Sequence, residues 1–276
     1  MPRIVANTEG TDPVELYYEV HGTGEERVLF INGLGSILSL WDPQIEFFSQ
    51  MPEFSICLFD NRGSGFSSSP LGRYTTRMMA RDAMALLAHL GWTRVHIVAL
   101  SMGGMIAQEL AYMLGDDVKS LCLISTLNKF NGISVSTLLN AVTNITPQIP
   151  TIESYCSMTV DILFPEHFVE RFSITGFQST AGRAGQQIAA VSHYFDERLN
   201  HLRKHRYPIL VIAGDQDQVV RQPVSSQYLA EKLNARLEIY PGGGHALRLQ
   251  DPEWLNLRVL ENIRAGIQAP SGANAT

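Results

Sequence analysis

Short apolar runs alternate with amphipathic stretches along most of the chain. Six runs are almost continuously apolar, which is typical of strands covered on both faces in a parallel sheet. These predicted strands are Val28–Asn32, Phe54–Asp60, Arg94–Leu100, Val118–Ser125, Ile209–Ala213 and Leu237–Tyr240. Five segments carry apolar residues at helical spacing, and they are Trp41–Met51, Thr75–Leu90, Met102–Leu114, Gln222–Leu233 and Pro252–Ile267. An earlier run, Val14–Val20, alternates like an edge strand, so the pattern predicts an α/β protein with a mostly parallel sheet.

The alternation is interrupted once, between residues 127 and 206. Roughly eighty residues separate two predicted core strands there, far more than an ordinary connection with one helix. The first half of this interval, Leu127–Pro165, contains only three charged residues, Lys129, Glu153 and Asp161. A flap surrounded by water would carry more charge. We therefore expect an inserted subdomain at 127–206 that covers an apolar surface, and a core formed by residues 1–126 and 207–276.

The charge distribution makes some partners improbable. The 276 residues include 21 Lys and Arg against 27 Asp and Glu, which gives a formal net charge of −6. Because no long basic run occurs, neither a nucleic acid backbone nor an anionic lipid surface is expected to bind. The favoured partner is a small-molecule substrate, and the sequence leaves the oligomeric state open.

Cysteine usage and the apolar runs predict a cytoplasmic protein without disulfides. The cysteines are odd in number, and Cys57 and Cys122 lie in predicted strands while Cys156 lies in the insertion. The N-terminus lacks the basic start and apolar stretch of a secretory signal. The run Val95–Leu114 is interrupted by polar residues, so no membrane span is expected.

The strongest local motif is an apolar strand, a tight turn with Ser101 at its apex, and then a helix. Such a turn strains the serine backbone and requires small neighbours, which Ala99 and Gly103 supply. The Met102 N–H and the helix dipole would face an oxyanion forming beside the serine. Taken alone, Ser101 could equally be the N-cap of an ordinary strand-to-helix turn.

Two later turns provide a candidate base and acid for this serine. Asp215 and Asp217 follow Gly214 at the end of a predicted strand, and His245 follows three glycines after the last strand. The carboxyl ends of parallel strands share one sheet edge, where active sites of open α/β folds lie. We expect Asp217 to orient His245, since it can fold back under the histidine, whereas Asp215 is placed to cap the turn.

The loop after the strand Val28–Asn32 is a candidate second oxyanion donor. It reads Asn32-Gly33-Leu34-Gly35, and its glycines would let the backbone approach a substrate. The Leu34 N–H would then face a carbonyl oxygen together with the Met102 N–H. The alternative is an ordinary tight turn that leads into the next helix.

Five motifs, in this order, resemble those of the α/β-hydrolase family, which includes serine esterases and lipases. They are Asn32-Gly-Leu-Gly, Asp60-Asn-Arg62-Gly63-Ser-Gly65-Phe-Ser67, Ala99-Leu-Ser101-Met-Gly-Gly, Gly214-Asp-Gln-Asp217 and Gly244-His245. The resemblance implies an eight-stranded, mostly parallel sheet with helices on both faces and a helical cap at 127–206. It also implies Ser101 as nucleophile, Asp217 as acid and His245 as base, with no cofactor and no metal. Arg62 and Gly63 would hold the backbone of a structural turn.

Two positions depart from the usual family pattern. Asn32-Gly33 stands where His-Gly is common, which resembles the 3-oxoadipate enol-lactonases, although Gly33 replaces a serine of those enzymes. Ala99 replaces the first glycine of the elbow and remains small. The expected activity is hydrolysis of an ester or lactone of a small-to-medium, largely apolar substrate through an acyl-enzyme.

Other functions stay open at this point. The same three side chains could serve enol-lactone hydrolysis, a perhydrolase or haloperoxidase-like reaction, or C–C bond hydrolysis, and the fold could instead be a small-ligand receptor. His201 and His205 stand four residues apart, but Leu202 occupies the position at which a zinc peptidase needs glutamate. A solvated helix end is the better interpretation of this pair, and binding of an anionic substrate tail by the basic residues around it is a weaker alternative.

Overall fold

The computed structural model describes residues 2–6, 13–129, 178–220 and 225–269. They form an eight-stranded sheet with the order β1-β2-β4-β3-β5-β6-β7-β8. The strands are β1 Arg3–Ala6, β2 Val14–His21, β3 Glu26–Ile31, β4 Phe54–Phe59, β5 Val95–Leu100, β6 Val118–Ile124, β7 Ile209–Gly214 and β8 Arg236–Tyr240. The pairs β1 with β2 and β2 with β4 are antiparallel, and all later pairs are parallel. This confirms the predicted mostly parallel α/β sheet.

Helices cover both faces of this sheet. In the described ranges they are α1 Asp42–Ser49, α2 Thr76–Leu90, α3 Met102–Leu114, α4 Thr180–Val191, α5 Asp196–Leu202, α6 Ser226–Leu233, α7 Leu247–Gln250 and α8 Pro252–Gln268. Two short 3₁₀ turns occur at Leu38–Trp41 and Gly115–Asp117. The predicted helix ends agree within a few residues where the structure describes them.

The alternation of side chains along each strand divides the core into two layers. On β3, Leu29 and Ile31 belong to the layer that also contains residues of α2, α3 and α6. Val28 and Phe30 of the same strand belong to the opposite layer, with residues of α1 and α8. Since successive strand residues point to opposite faces, a strand buried on both sides must be apolar at nearly every position.

Two helices of the interval 127–206, α4 and α5, lie in the described part of the chain. The carboxylate of Asp196, at the start of α5, accepts hydrogen bonds from Asn128, Lys129 and Tyr228. Both guanidinium branches of Arg198 bind the carboxylate of Glu109 on α3, at 2.5 and 2.7 Å. These contacts fasten α5 to the core helices α3 and α6. The sparsely charged segment that we expect to cover an apolar surface lies almost entirely outside the described residues.

Cys57 and Cys122 are free thiols buried in β4 and β6, as the strand pattern predicted. Burial raises the pKa of both thiols, so they are packing groups rather than nucleophiles. Cys156 lies outside the described residues. None of the helices in the described ranges has the length and apolar character that a membrane crossing requires.

Candidate active site

Ser101 lies between β5 and α3 in a strained backbone conformation. Its φ of 55° and ψ of −123° fall in a region that non-glycine residues rarely adopt. Two hydrogen bonds stabilise this strained conformation. The Ser101 N–H donates to Ile124 O at 2.9 Å, and the Thr126 hydroxyl donates to Ser101 O at 2.7 Å. The neighbouring strand β6 and the residues after it therefore present the serine hydroxyl at the carboxyl edge of the sheet.

The first turn of α3 leaves no room for larger side chains. A Cβ atom on Gly103 would lie 2.3 Å from Ile31 O and 2.6 Å from Asn32 O. A Cβ atom on Gly104 would lie 2.6 Å from the side chain of Thr126. Both glycines are therefore needed for the helix to start this close to β3 and β6, which is the physical basis of the Ser-Met-Gly-Gly motif.

The structure brings Ser101, His245 and Asp217 into one chain of hydrogen bonds. His245 Nε2 is 2.9 Å from Ser101 Oγ, and His245 Nδ1 is 2.8 Å from Asp217 Oδ2. The other carboxylate oxygen of Asp217 accepts the N–H groups of Val219 and Val220, both at 2.8 Å. Asp217 and His245 are buried, while Ser101 is partly exposed. This arrangement can remove a proton from the serine hydroxyl.

Asp215 has a different partner from Asp217. Its Oδ1 accepts the N–H of Gly242 at 2.7 Å, which closes the turn that precedes His245. The same loop is held by Gln250, whose amide accepts from Gly244 N–H and donates to Gly242 O, both at 2.8 Å. A Cβ atom on Gly214 would lie 2.1 Å from Gly243 O, so this strand end and the histidine loop touch through their backbones.

The loop after β3 lies directly against Ser101. A Cβ atom on Gly33 would lie 3.1 Å from Ser101 Cβ. Ser36 N–H donates to Gly33 O at 3.3 Å, and Gly35 supplies the positive φ, 69°, that the third position of a type II turn requires. Leu34 is the second residue of this turn. Its role as an oxyanion donor remains a prediction.

Two other groups complete the predicted oxyanion site. Met102 is the first residue of α3, where an N–H has no acceptor within the helix. Asn32 is fully buried and its Nδ2 is 3.5 Å from Phe59 O, while its own carbonyl oxygen accepts from Asn61 Nδ2 at 2.9 Å. The Asn32 side chain therefore reaches the end of β4, and the Asn61 side chain ties the loop after β4 to the Asn32 backbone.

The structure corrects the expected role of the Arg62 side chain. Instead of holding the backbone of its own turn, it forms two hydrogen bonds of 2.6 Å to the carboxylate of Asp82 on α2. Both side chains are almost completely buried. The sequence contains no signal for this pairing, since the two residues are brought together only when α2 packs against the turn.

His201 lies in the last turn of α5 and His205 lies three residues after its end, with ring centres 5.2 Å apart. His205 Nδ1 is 2.8 Å from Asp116 Oδ1, and its ring stacks on Tyr207. His201 packs against the ring of Tyr112. Both imidazoles thus have contacts that belong to the packing of α5 against the core.

The sheet order, the helices on both faces and the strained serine between β5 and α3 define an α/β-hydrolase fold. The chain belongs to this family, because residues 26–252 match the family described as alpha/beta hydrolase fold. The fold and the resemblance predicted from the motifs are thereby confirmed.

Relatives within this family have different activities. The chain is 30% identical over 248 residues to 3-oxoadipate enol-lactonase 2 of Acinetobacter baylyi, covering 88% of this chain and 91% of that protein. An esterase structure from Thermogutta terrifontis superposes with a TM-score of 0.81 at 22% identity, covering 96% of this chain and 99% of that one. A bromoperoxidase structure from Bacillus anthracis gives a TM-score of 0.77 at 22% identity, covering 95% of this chain and 100% of that one. At such identities the two structures show a shared fold alone.

Proposed function

We propose that this protein is a serine hydrolase that cleaves a carboxylic ester or lactone through an acyl-enzyme. One observation carries the proposal: Ser101 Oγ, His245 and Asp217 form a continuous hydrogen-bonded chain, with distances of 2.9 and 2.8 Å. The strained backbone of Ser101 and the helix that begins directly after it support the same role. The enol-lactonase of A. baylyi and the esterase of T. terrifontis have names compatible with this reaction.

Each group has a defined task in the proposed reaction. His245 Nε2 takes the proton of Ser101 Oγ as this oxygen attacks the carbonyl carbon. The N–H groups of Leu34 and Met102 hold the oxyanion, and Asp217 keeps the remaining imidazole N–H at Nδ1. His245 then gives its proton to the leaving alkoxide. In the second half, His245 removes a proton from water, which releases the acid and restores the serine.

Substitution of Ser101 tests the proposal. With an activated short-chain ester such as a nitrophenyl acetate, Ser101→Ala should lower kcat by several orders of magnitude, as loss of a triad member does. A fluorophosphonate probe should label the wild-type protein at Ser101 and leave Ser101→Ala unlabelled. Turnover by Ser101→Ala at the wild-type rate would refute the proposal.

Ser120 offers a matched control, because its hydroxyl also contacts a histidine. Ser120 Oγ is 2.8 Å from His96 Nδ1, but both residues are fully buried within the sheet. Ser120→Ala should keep the turnover number and the fluorophosphonate labelling of the wild type. A loss of labelling in Ser120→Ala would mean that the reactive serine is not Ser101.

Profiling against esters, lactones and thioesters defines the substrate. The sparse charge of Leu127–Pro165 supports a largely apolar acyl or alcohol group. Faster turnover of charged, short acids would contradict that preference. A bromide oxidation, as the name of the B. anthracis protein suggests for that protein, would show as turnover that requires peroxide, bromide and a carboxylic acid together, with the peroxide reduced to water as bromide is oxidised. Ligand binding with neither turnover nor labelling would favour a receptor.

A further inference from the structure

Gln186, on the helix α4, has an amide that is fully buried and completely hydrogen-bonded. Its Nε2 donates to Arg62 O and to Ser64 Oγ, both at 2.8 Å. Its Oε1 accepts the N–H of Gly35 at 2.9 Å and an N–H of the Gln178 amide at 2.8 Å. Two donors and two acceptors are the full capacity of a side-chain amide. A single side chain thus joins the loop after β3 to the loop after β4.

The orientation of this amide is dictated by its partners. The Gly35 N–H can only donate, so it must face the oxygen of Gln186. The Arg62 carbonyl can only accept, so it must face the nitrogen. Neither a carboxylate nor an apolar side chain of the same length can satisfy both groups, and a buried backbone group left without a partner costs about 1–3 kcal/mol.

Helix α4 packs so closely against the core that two of its positions have room only for glycine. This close packing explains how the Gln186 side chain can reach both loops. A Cβ atom on Gly182 would lie 2.6 Å from Gly63 Cα, and one on Gly185 would lie 2.6 Å from the ring of Tyr74. Gly185 and Gln186 lie three and four residues after Gly182, so both are on the face of the helix that Gly182 occupies. The close contact places the amide between the two loops.

The contact with Gly35 bears on the proposed oxyanion site. Gly33, Leu34 and Gly35 belong to one turn, and Gly33 of this turn lies against Ser101. The hydrogen bond from the Gly35 N–H to Gln186 Oε1 anchors the turn to helix α4. The Leu34 N–H belongs to the peptide unit directly before the Leu34–Gly35 unit, so the anchor at Gly35 helps to set the position of the Leu34 N–H relative to Ser101.

We propose that Gln186 is a positioning residue that orients the Leu34 N–H toward the substrate oxyanion by holding the Gly35 N–H. The proposal rests on the function proposed above and adds a dependence of catalysis on helix α4. Gln186 does not touch the substrate. Its effect should appear in transition-state stabilisation rather than in substrate binding.

Gln186→Met, which keeps the side-chain length and removes the hydrogen bonds, tests this role. We expect kcat on an activated ester to fall about 10- to 100-fold with KM changed less than about twofold, because a misplaced oxyanion donor costs about as much as this. Affinity for a trifluoromethyl ketone, which forms an oxyanion on the serine, should fall by the same factor as kcat/KM. If Gln186→Met does not fold, Gln186→Asn, which retains an amide with shorter reach, should show a smaller loss of the same kind.

Ser64→Ala is the matched control. It removes one partner of the Gln186 amide, at 2.8 Å, and leaves the bond to Gly35 intact. It should therefore lower the melting temperature without lowering kcat more than about twofold. Equal losses of kcat in Ser64→Ala and Gln186→Met, or an unchanged ketone affinity in Gln186→Met, would overturn the proposal.

Hydrogen exchange separates this proposal from the proposed function. The Gly35 amide should exchange at least about tenfold faster in Gln186→Met than in the wild type. Its exchange rate in Ser64→Ala should equal that of the wild type. This measurement requires no catalysis. Unchanged exchange of Gly35 in Gln186→Met would overturn the positioning role even if Ser101→Ala had abolished turnover. Full turnover by Ser101→Ala would overturn the proposed function, and the catalytic part of the positioning role with it, whatever the exchange of Gly35.

Discussion

Replacing Asp217 by Asn should abolish most of the activity by changing the tautomer of His245. Asp217 Oδ1 accepts two backbone N–H groups, from Val219 and Val220, so the oxygen of an asparagine would be retained there. Its NH₂ group would then face His245 Nδ1, which is 2.8 Å from Asp217 Oδ2 in the wild type. The imidazole could accept this bond only with its proton on Nε2, the atom 2.9 Å from Ser101 Oγ.

A histidine in that tautomer cannot accept the serine proton. In serine proteases the same change lowers kcat by about 10⁴, and we expect a loss of about 10³- to 10⁴-fold for Asp217→Asn. KM should change little, because the carboxylate has no role in substrate binding. Initial rates with an activated ester measure the loss in full turnover. Rates of fluorophosphonate labelling measure the loss in the reactivity of the serine alone.

Asp215→Asn is the matched control. Asp215 Oδ1 accepts the Gly242 N–H at 2.7 Å, and an asparagine oxygen can accept it equally well. We expect Asp215→Asn to retain kcat within about threefold, since hydrogen bonds to one loop N–H contribute about 1 kcal/mol. The reasoning would be wrong if Asp217→Asn kept more than about a tenth of the wild-type rate, or if Asp215→Asn lost more than Asp217→Asn.

Three further predictions concern stability, each measured by urea unfolding. Gly103→Ala should lose about 2 kcal/mol or more, because its Cβ would lie 2.3 Å from a backbone oxygen, and a wild-type midpoint would contradict this. Arg62→Met should cost about 3–5 kcal/mol by leaving the buried Asp82 carboxylate alone, and adding Asp82→Leu should restore much of the loss. Burial lowers the pKa of His96 from 6.5 to about 4, so its stabilisation is complete above pH 6.5 and is lost as the pH falls toward 4. Stability should therefore fall by about 2 kcal/mol less in His96→Gln than in the wild type between pH 7 and 4.5, and equal slopes would contradict this.

The central strands could be predicted because their burial on both faces leaves a continuous apolar run. The strand β1, Arg3–Ala6, was not predicted, and its burial pattern explains the failure. Only Ile4 and Ala6 are buried in this four-residue edge strand, and its other two residues are exposed. Such a short alternation cannot be distinguished from a loop until β2 provides its hydrogen bonds. The predicted start of β3, Val28, likewise lies two residues after the observed start, because Glu26 and Arg27 are polar.

The residues of the candidate site could be predicted because each lies at a strand end marked by small residues. Ser101 precedes Gly103, Asp217 follows Gly214, and His245 follows three glycines. The contact of Gln186 with Gly35 could not be predicted, because 151 residues separate the two. A glutamine within an amphipathic helix has no local signal for its partner. Only the packing of α4 on the core, through glycines that look unremarkable in the sequence, brings the two groups together.

The sheet contains a second set of the same three group types, which shows what residue identity alone leaves undecided. His96 lies between Ser120 Oγ, at 2.8 Å, and the Glu26 carboxylate, at 3.1 Å. Ser120 stands within β6 and is 1% exposed, so a substrate cannot approach it, whereas Ser101 directly precedes the first residue of α3. Glu26 is also paired with Lys119.

The contrast between the two sets identifies backbone position as the origin of the expected reactivity. Ser101 follows the last residue of β5 at the carboxyl edge, in a conformation that exposes its oxygen beside the first N–H of α3. Ser120 lies near the amino end of β6, within the strand and directly after a register shift in its pairing with β5. Because both serines contact an imidazole, the hydrogen bond itself cannot make either one a nucleophile. We expect Ser101 to differ from Ser120 by access to substrate together with N–H donors near the oxygen that becomes charged in the proposed reaction. Selective labelling of Ser101 over Ser120 by a fluorophosphonate would measure that difference directly.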